Sequence, residues 1–280
     1  MTIRATPVLA ALLGAALAAP ALAQGAMPQA VAAPQPGQHL VAAVNAPNRT
    51  PANRERDRWR NPAQTLAFFG LQPGMTVVEV SPGAGWYTEI LAPAVGPRGK
   101  LYVAAANPAA SENAARAVQN LRNKFASDPV YSNIELSVFT RGSYDIAPPG
   151  SADLVLTFRN VHNWMANDFA QDAFNAFYRA LKPGGVLGVV EHRLPESRDQ
   201  DPKAASGYVK ESEVVRMAQA AGFVLEARSD VNANPRDTAD HPGGVWSLPP
   251  ILRGGDVDRD KYMAIGESDR MTLRFRKPAR

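Results

Sequence analysis

Seven short, mostly apolar runs alternate with segments of helical spacing, and that alternation most limits what this chain can fold into. The runs are Val77–Val80, Leu101–Ala106, Ile134–Phe139, Leu154–Phe158, Val186–Glu191, Phe223–Ser229 and Met271–Arg276. Helices are expected at 61–70, opened by Asn61-Pro62 and stopped by Gly70, and at Tyr87–Val95, Ser111–Ala126, Asn167–Lys182 and Ser212–Ala221. In the Ser111–Ala126 helix Ala114, Val118, Leu121 and Phe125 fall on one face. Strands that read as near-continuous apolar runs are buried on both faces, as in a parallel sheet. The expected fold is therefore α/β: a Rossmann-like, doubly wound, seven-stranded, mostly parallel sheet with helices on both faces. Met271, Leu273 and Phe275 alternate with polar residues, which suits a strand nearer an edge.

The first strand ends in an acid and a tight loop, VVEVSPGAGW at 77–86. Such a loop brings backbone N–H groups and a helix N-terminus to a ligand. A dinucleotide fingerprint, G-x-G-x-x-G, needs a third small residue where this chain has Thr88, so that match is poor. An acid followed by a G-x-G-x-G loop suits a ligand with cationic or amino groups, and Glu79 through Gly85 fit it with Ser81 in place of the first glycine.

With this loop go GKLYVAAANP (99–108), SADLVLTFRNVHNWM (151–165), ALKPGGVLGVVEHR (180–193), AAGFVLEARSDV (220–231) and TLRFRKP (272–278). On these residues the chain resembles the class I S-adenosylmethionine-dependent methyltransferases over about residues 50–280, and more narrowly the exported predicted methyltransferases of bacteria. The resemblance implies strand order 3-2-1-4-5-7-6 with strand seven antiparallel, and S-adenosylmethionine as cofactor. It implies that Glu79 and the backbone of Ser81, Gly83 and Gly85 face the methionine half. Arg141–Tyr144, with Ser143 and Tyr144, then lie toward adenine, Asp153 opens strand four, and residues 159–164 lie on the methyl-accepting side. The chain departs from the family at the end of strand two. There a carboxylate normally accepts from both ribose hydroxyls, and the matching position is Ala105. Asn107 is the nearest polar substitute.

Methyl transfer needs the acceptor aligned and, for oxygen or nitrogen, its proton removed. Histidine suits that near neutral pH. His162 and His192 fall at strand ends on the cofactor face and are the catalytic candidates; each could instead bond loop carbonyls. Glu191-His192-Arg193 ends a buried strand where open sheets place ligand contacts, or caps it in solvent. The candidate substrate contacts are Trp164, Arg193 and Trp246. No metal site is expected, because no H-x-x-x-H or H-E-x-x-H spacing occurs and the chain has no Cys. Residues 232–269 lack clear periodicity but are too apolar for disorder, and they read as a lid or substrate wall.

The N-terminus carries Arg4, an apolar stretch to about Leu17 and Ala21-Leu22-Ala23, the pattern of a cleaved signal peptide over 1–23. That run is shorter than the roughly 20 residues a span needs. Residues 24–48, rich in Ala, Pro, Gln and Gly, read as a disordered leader, and 49–280 as a single domain. The formal charge of +4 includes Arg4, so the cleaved chain would carry +3. The excess sits in NRTPANRERDRWR at 48–60, which reads as a solvated helix face, or alternatively as a clamp on the core or on an acidic partner. The rest is near neutral, against a nucleic-acid surface. Two functions remain open: periplasmic methyl transfer to a small or medium acceptor, or a non-catalytic periplasmic ligand-binding protein on the same fold.

Overall fold

The computed structural model describes residues 27–279; the expected signal peptide lies outside them. The strands are β1 Thr76–Val80, β2 Lys100–Ala105, β3 Ile134–Val138, β4 Ala152–Phe158, β5 Leu181–Leu194, β6 Val209–Lys210, β7 Val224–Ser229 and β8 Arg270–Arg276. The helices are α1 Gln38–Val44, α2 Pro51–Arg54, α3 Asp57–Arg60, α4 Pro62–Phe69, α5 Thr88–Val95, α6 Glu112–Ala126, α7 Val161–Ala166, α8 Ala170–Ala180, α9 Glu211–Ala220 and α10 Arg259–Ile265. The sheet runs β3-β2-β1-β4-β5-β8-β7, with the short β6 added beside β5. The pairs from β3 through β5 are parallel, while β8 is antiparallel to both neighbours. This is the expected order, since β8 is the seventh run of the sequence and β6 is an extra pairing.

Alternation within each strand divides the core. Val78, Val80 and Val155 face α7, α8 and α9 with Trp164, Phe174 and Phe177. Val77, Leu101, Val103, Leu154 and Leu156 face α1, α4 and α5. Both faces are covered, so even the final strand is buried: β8 lies between β5 and β7, and Thr272 is as inaccessible as Met271. Gly188 in β5 lets α4 approach, for a Cβ there would stand 2.7 Å from Leu156 and Phe69.

Three expectations change. The leader is ordered from residue 27: Val31 N–H donates to Arg228 O at 2.8 Å, and α1 buries Leu40 and Ala43 against α4 and α5. The helix expected over 167–182 is preceded by the short α7 and starts only at Ala170, because Asp168 adopts a left-handed conformation with φ 58°. Its last residues belong to β5, and Lys277 Nζ caps the carbonyls of Tyr178 and Leu181 at 2.7 Å each. Asn61 does precede α4, but its amide donates to Val231 O at 2.7 Å instead of capping the helix.

The 232–269 segment is a wall built around one buried acid. Asp237 accepts from Tyr208 Oη at 3.0 Å, Asp269 N–H at 2.8 Å and the His241 ring at 2.8 Å. These bonds hold a 3₁₀ turn, Gly244–Ser247, against the C-terminal ends of the strands. Among the described residues no helix is long and apolar enough to cross a membrane.

Candidate active site

The strand order reverses at β1, which has β2 on one side and β4 on the other. In open sheets the crevice outside the strand ends at such a point binds ligands. Glu79 of β1 and the Ser81–Gly85 loop form one side of that crevice, and Arg159-Asn160 after β4 form the other. The Asn160 amide nitrogen reaches Val80 O and Ser81 O at 3.3 and 3.2 Å and ties the two strand ends together. A cavity of about 130 Å³ lies among Glu79, Gly83, Trp86, Tyr87, Phe158 and Arg159.

Gly83 has φ +59°, and a Cβ built on it meets nothing within 4 Å, so the backbone presents an open cradle. The N–H groups of Ser81 and Gly85 are spent inside the fold, on Ala104 O and Pro82 O at 2.9 and 3.0 Å. Those two residues shape the loop, and Gly83 is the member that borders the cavity openly. Glu79 is buried and accepts from Thr88 Oγ1. Burial pushes its carboxyl up to about 8, against the opposing pull of the Thr88 hydrogen bond and Lys124. An acid so desolvated is poised to ionise when a cation settles beside it.

On the ribose side Ala105 packs with Val118 and Leu121 of α6. The Asn107 amide oxygen accepts from Ala109 N–H at 2.9 Å, a local cap. Ser143 closes a tight turn with Thr140, and Tyr144 leans on Phe139 and Phe169 with its hydroxyl 3.3 Å from Asp172. The glycine cradle and Glu79 therefore suit the methionine half of S-adenosylmethionine. The carboxylate expected for its ribose has no counterpart at position 105.

The structure brings His162 and His192 together, with ring centroids 5.3 Å apart. Glu191 sets both. It accepts from Val161 N–H at 2.5 Å, from His192 N–H at 2.7 Å and from His162 Nδ1 at 3.0 Å. The carboxylate can only accept, so Nδ1 of His162 carries a proton and Nε2 is the ring nitrogen left free of this bond. His192 Nδ1 pairs with Ser268 Oγ at 2.5 Å. Burial, the neighbouring His162 and Arg159 hold the His192 imidazole well below its ordinary value, hence neutral. The ligand atoms of His162, Glu191 and His192 all lie within 4.8 Å of one another, a spacing a metal could use. Glu191 is already committed to four N–H donors, however, the fourth being His162 N–H at 3.3 Å, and the nearby arginines oppose a further cation.

Both histidines open onto a second cavity of about 320 Å³, which shares Arg159 with the first. Arg56, Arg60 and Arg159 form one wall with Glu267, and Trp246, Pro249, Pro250 and Ile251 of the 232–269 segment form another. Trp246 stands edge-on to His162 at 6.0 Å. Two expected contacts fall elsewhere. Trp164 is core, packed between Phe139 and Phe177 at 5.2 and 5.4 Å, because α7 turns it inward. Arg193 is a brace, bidentate to Asp269 at 2.8 and 2.9 Å and bonded to Asp230 at 3.1 Å. Asp153 likewise lies at the far end of β4, holding Thr76 N–H and Lys182.

Sequence reasoning missed Arg56, Arg60, Glu267 and Ser268. The arginine run was the available signal, and of its two readings the clamp on the core holds and the solvated face does not. Arg49 and Arg60 are buried, stacked on Trp86 at 5.2 and 4.6 Å, and Trp86 Nε1 donates to Asn53 O. The N-terminal helices thus close over the loop.

Comparison with known proteins agrees with this geometry. Residues 78–189 match the family model for a methyltransferase domain. The chain is 27% identical over 150 residues to a ubiquinone/menaquinone biosynthesis C-methyltransferase of Hydrogenovibrio crunogenus, covering 54% of this chain and 52% of that protein. It is 27% identical over 224 residues to an arsenite methyltransferase of Halobacterium salinarum, covering 76% of this chain and 49% of that one. The chain thus spans about half the length of the curated relatives it matches. A methyltransferase crystal structure from Aquifex aeolicus superposes with TM-score 0.54 and 19% identity, covering 80% of this chain and 93% of that one, and so shares its fold.

Proposed function

We propose that this chain, whose residues 78–189 match a methyltransferase domain and whose fold is that of a solved methyltransferase, transfers a methyl group from S-adenosylmethionine to a small or medium acceptor held in the arginine-walled cavity. One observation carries the reading: the glycine-loop cavity and the histidine-lined cavity meet at Arg159. Beside Glu79 and Gly83, bound S-adenosylmethionine would supply an electrophilic methyl group on a sulfonium sulfur. The chain's own work is placement and proton removal. Glu79 answers the positive charge of the cofactor, and Gly83 leaves room for it. Trp246 and the proline wall orient the acceptor. His162 Nε2 takes the acceptor's proton, and Glu191 stabilises the imidazolium that results.

The Ala105 packing favours a second reading, a protein that keeps the cleft for a different ligand. Calorimetric titration of S-adenosylmethionine and S-adenosylhomocysteine separates the two. Gly83→Val fills the cradle at a positive φ and should weaken both at least about tenfold while circular dichroism stays native. No heat at millimolar cofactor would sink the methyltransferase reading.

Action outside the cytoplasm is part of the proposal and is supported by the N-terminal pattern alone. Protein recovered from a periplasmic fraction should begin at Gln24. An intact Met1 there would refute cleavage.

A further inference from the structure

Resting on the methyltransferase reading, we infer that the acceptor is an organic anion: a flat, largely apolar body bearing a carboxylate that docks on Arg56, Arg60 and Arg159. The cavity is asymmetric in charge. Glu267 is surrounded by Arg56 at 2.7 Å, Arg60 at 3.1 Å, Arg270 at 3.0 Å and Arg159 at 3.6 Å. Four guanidiniums share one carboxylate, which leaves an excess of positive charge in a largely buried place. Arg60, which lines the cavity, is only 2% exposed, and its Nη1 has no acceptor among the described residues. Buried guanidinium donors without acceptors are costly, and a bidentate anion satisfies them. Burial and the facing Arg159 lower the Arg60 guanidinium to about 8, the electrostatic trace of the same crowding.

The opposite wall fixes the body of the ligand. Trp246, Pro249, Pro250 and Ile251 offer flat apolar surface and no charge, and Arg253 stacks on the Trp246 ring at 4.6 Å and braces it. A cavity of about 320 Å³ admits a single-ring molecule rather than a bare inorganic ion. His162 and His192 line the same cavity and the Trp246 ring stands edge-on to His162 at 6.0 Å, so an anion seated on the arginines with its body along Trp246 would bring its far edge toward His162. Arg159 carries a left-handed backbone, φ 62°, rare for a side chain of its size and found where a site imposes it.

The test uses 4-hydroxybenzoate as probe, 4-hydroxybenzamide as its neutral counterpart and inorganic phosphate as the bare anion. Each is titrated into the full chain by calorimetry, with and without saturating S-adenosylhomocysteine. The carboxylate should bind at least about tenfold tighter than the amide and the phosphate, and the preference should shrink as salt rises. Arg60→Met should abolish it. Should that variant fail to fold, Arg56→Gln, at a half-exposed site, should still reduce it severalfold. Equal binding of acid and amide alongside S-adenosylhomocysteine binding overturns this inference alone. Phosphate matching the carboxylate overturns the flat-body assignment. A carboxylate preference without any S-adenosylhomocysteine binding overturns the acceptor role together with the methyltransferase reading.

Discussion

Replacing Glu267 by alanine should cost about 3–5 kcal/mol of folding stability, the scale for removing one partner from a buried ionic cluster. The cause is what stays behind. Arg60 and Arg270 are each nearly inaccessible, and with Arg56 and Arg159 they converge on this carboxylate from three different segments. Without it, several guanidiniums face one another with no counter-charge. Burial alone would raise the Glu267 carboxyl, yet the arginines outweigh it and hold it down to about 2. The folded value is depressed, so this contribution is fully present above the unfolded value near 4.5 and is lost as pH falls toward 2. Chemical denaturation from pH 7 to pH 2 should show the wild type losing its advantage over Glu267→Ala across that interval. A variant within about 1 kcal/mol of wild type at pH 7 would mean that the cluster is not held as described.

Glu79→Gln should do the opposite above neutral pH, stabilising the fold while weakening cofactor binding. Burial raises the Glu79 carboxyl to about 8. A raised folded value means that its contribution is complete below pH 4.5 and is lost as pH rises toward 8. Glutamine keeps an oxygen for the Thr88 hydroxyl and never ionises. The two proteins should therefore match near pH 4 and diverge to a few kcal/mol above pH 8, in favour of glutamine. The glutamine variant should also bind S-adenosylmethionine more weakly, because a neutral amide does not answer a cation. Denaturation at pH 5 and pH 9, with calorimetry at pH 7.5, reads both effects. A gain in stability with unchanged affinity would make Glu79 a purely structural acid.

Much of the fold was legible along the chain because its signals are local. The apolar runs, Pro183-Gly184-Gly185 and the loop from Ser81 to Gly85 mark strands and turns through backbone preference and burial on two faces. Glu79 and Gly83 could be named from that loop, since a strand, a turn and a helix occupy one continuous stretch. The errors came where long-range contacts override local composition. Residues 27–48 look unfit to fold by themselves, yet Leu40 finds a pocket against α4 and α5. Trp164 follows the candidate histidine by two positions, and the pitch of α7 sends it into the core.

By itself, then, the sequence determined a doubly wound parallel sheet and the position of its glycine loop, because strand burial and turn chemistry are written in neighbouring residues. Only the tertiary structure decided the composition of the cavity lined by the histidines and arginines. Arg56 and Arg60 lie over 200 positions from Glu267 in the chain, and Trp246 and His162 are more than 80 apart. Charges that far apart in the chain carry no sign of their pairing until the sheet, the N-terminal helices and the 232–269 wall meet. The physical reason is that an arginine reads alike whether solvated or buried. What distinguishes the two is the carboxylate that compensates it, and only packing supplies that.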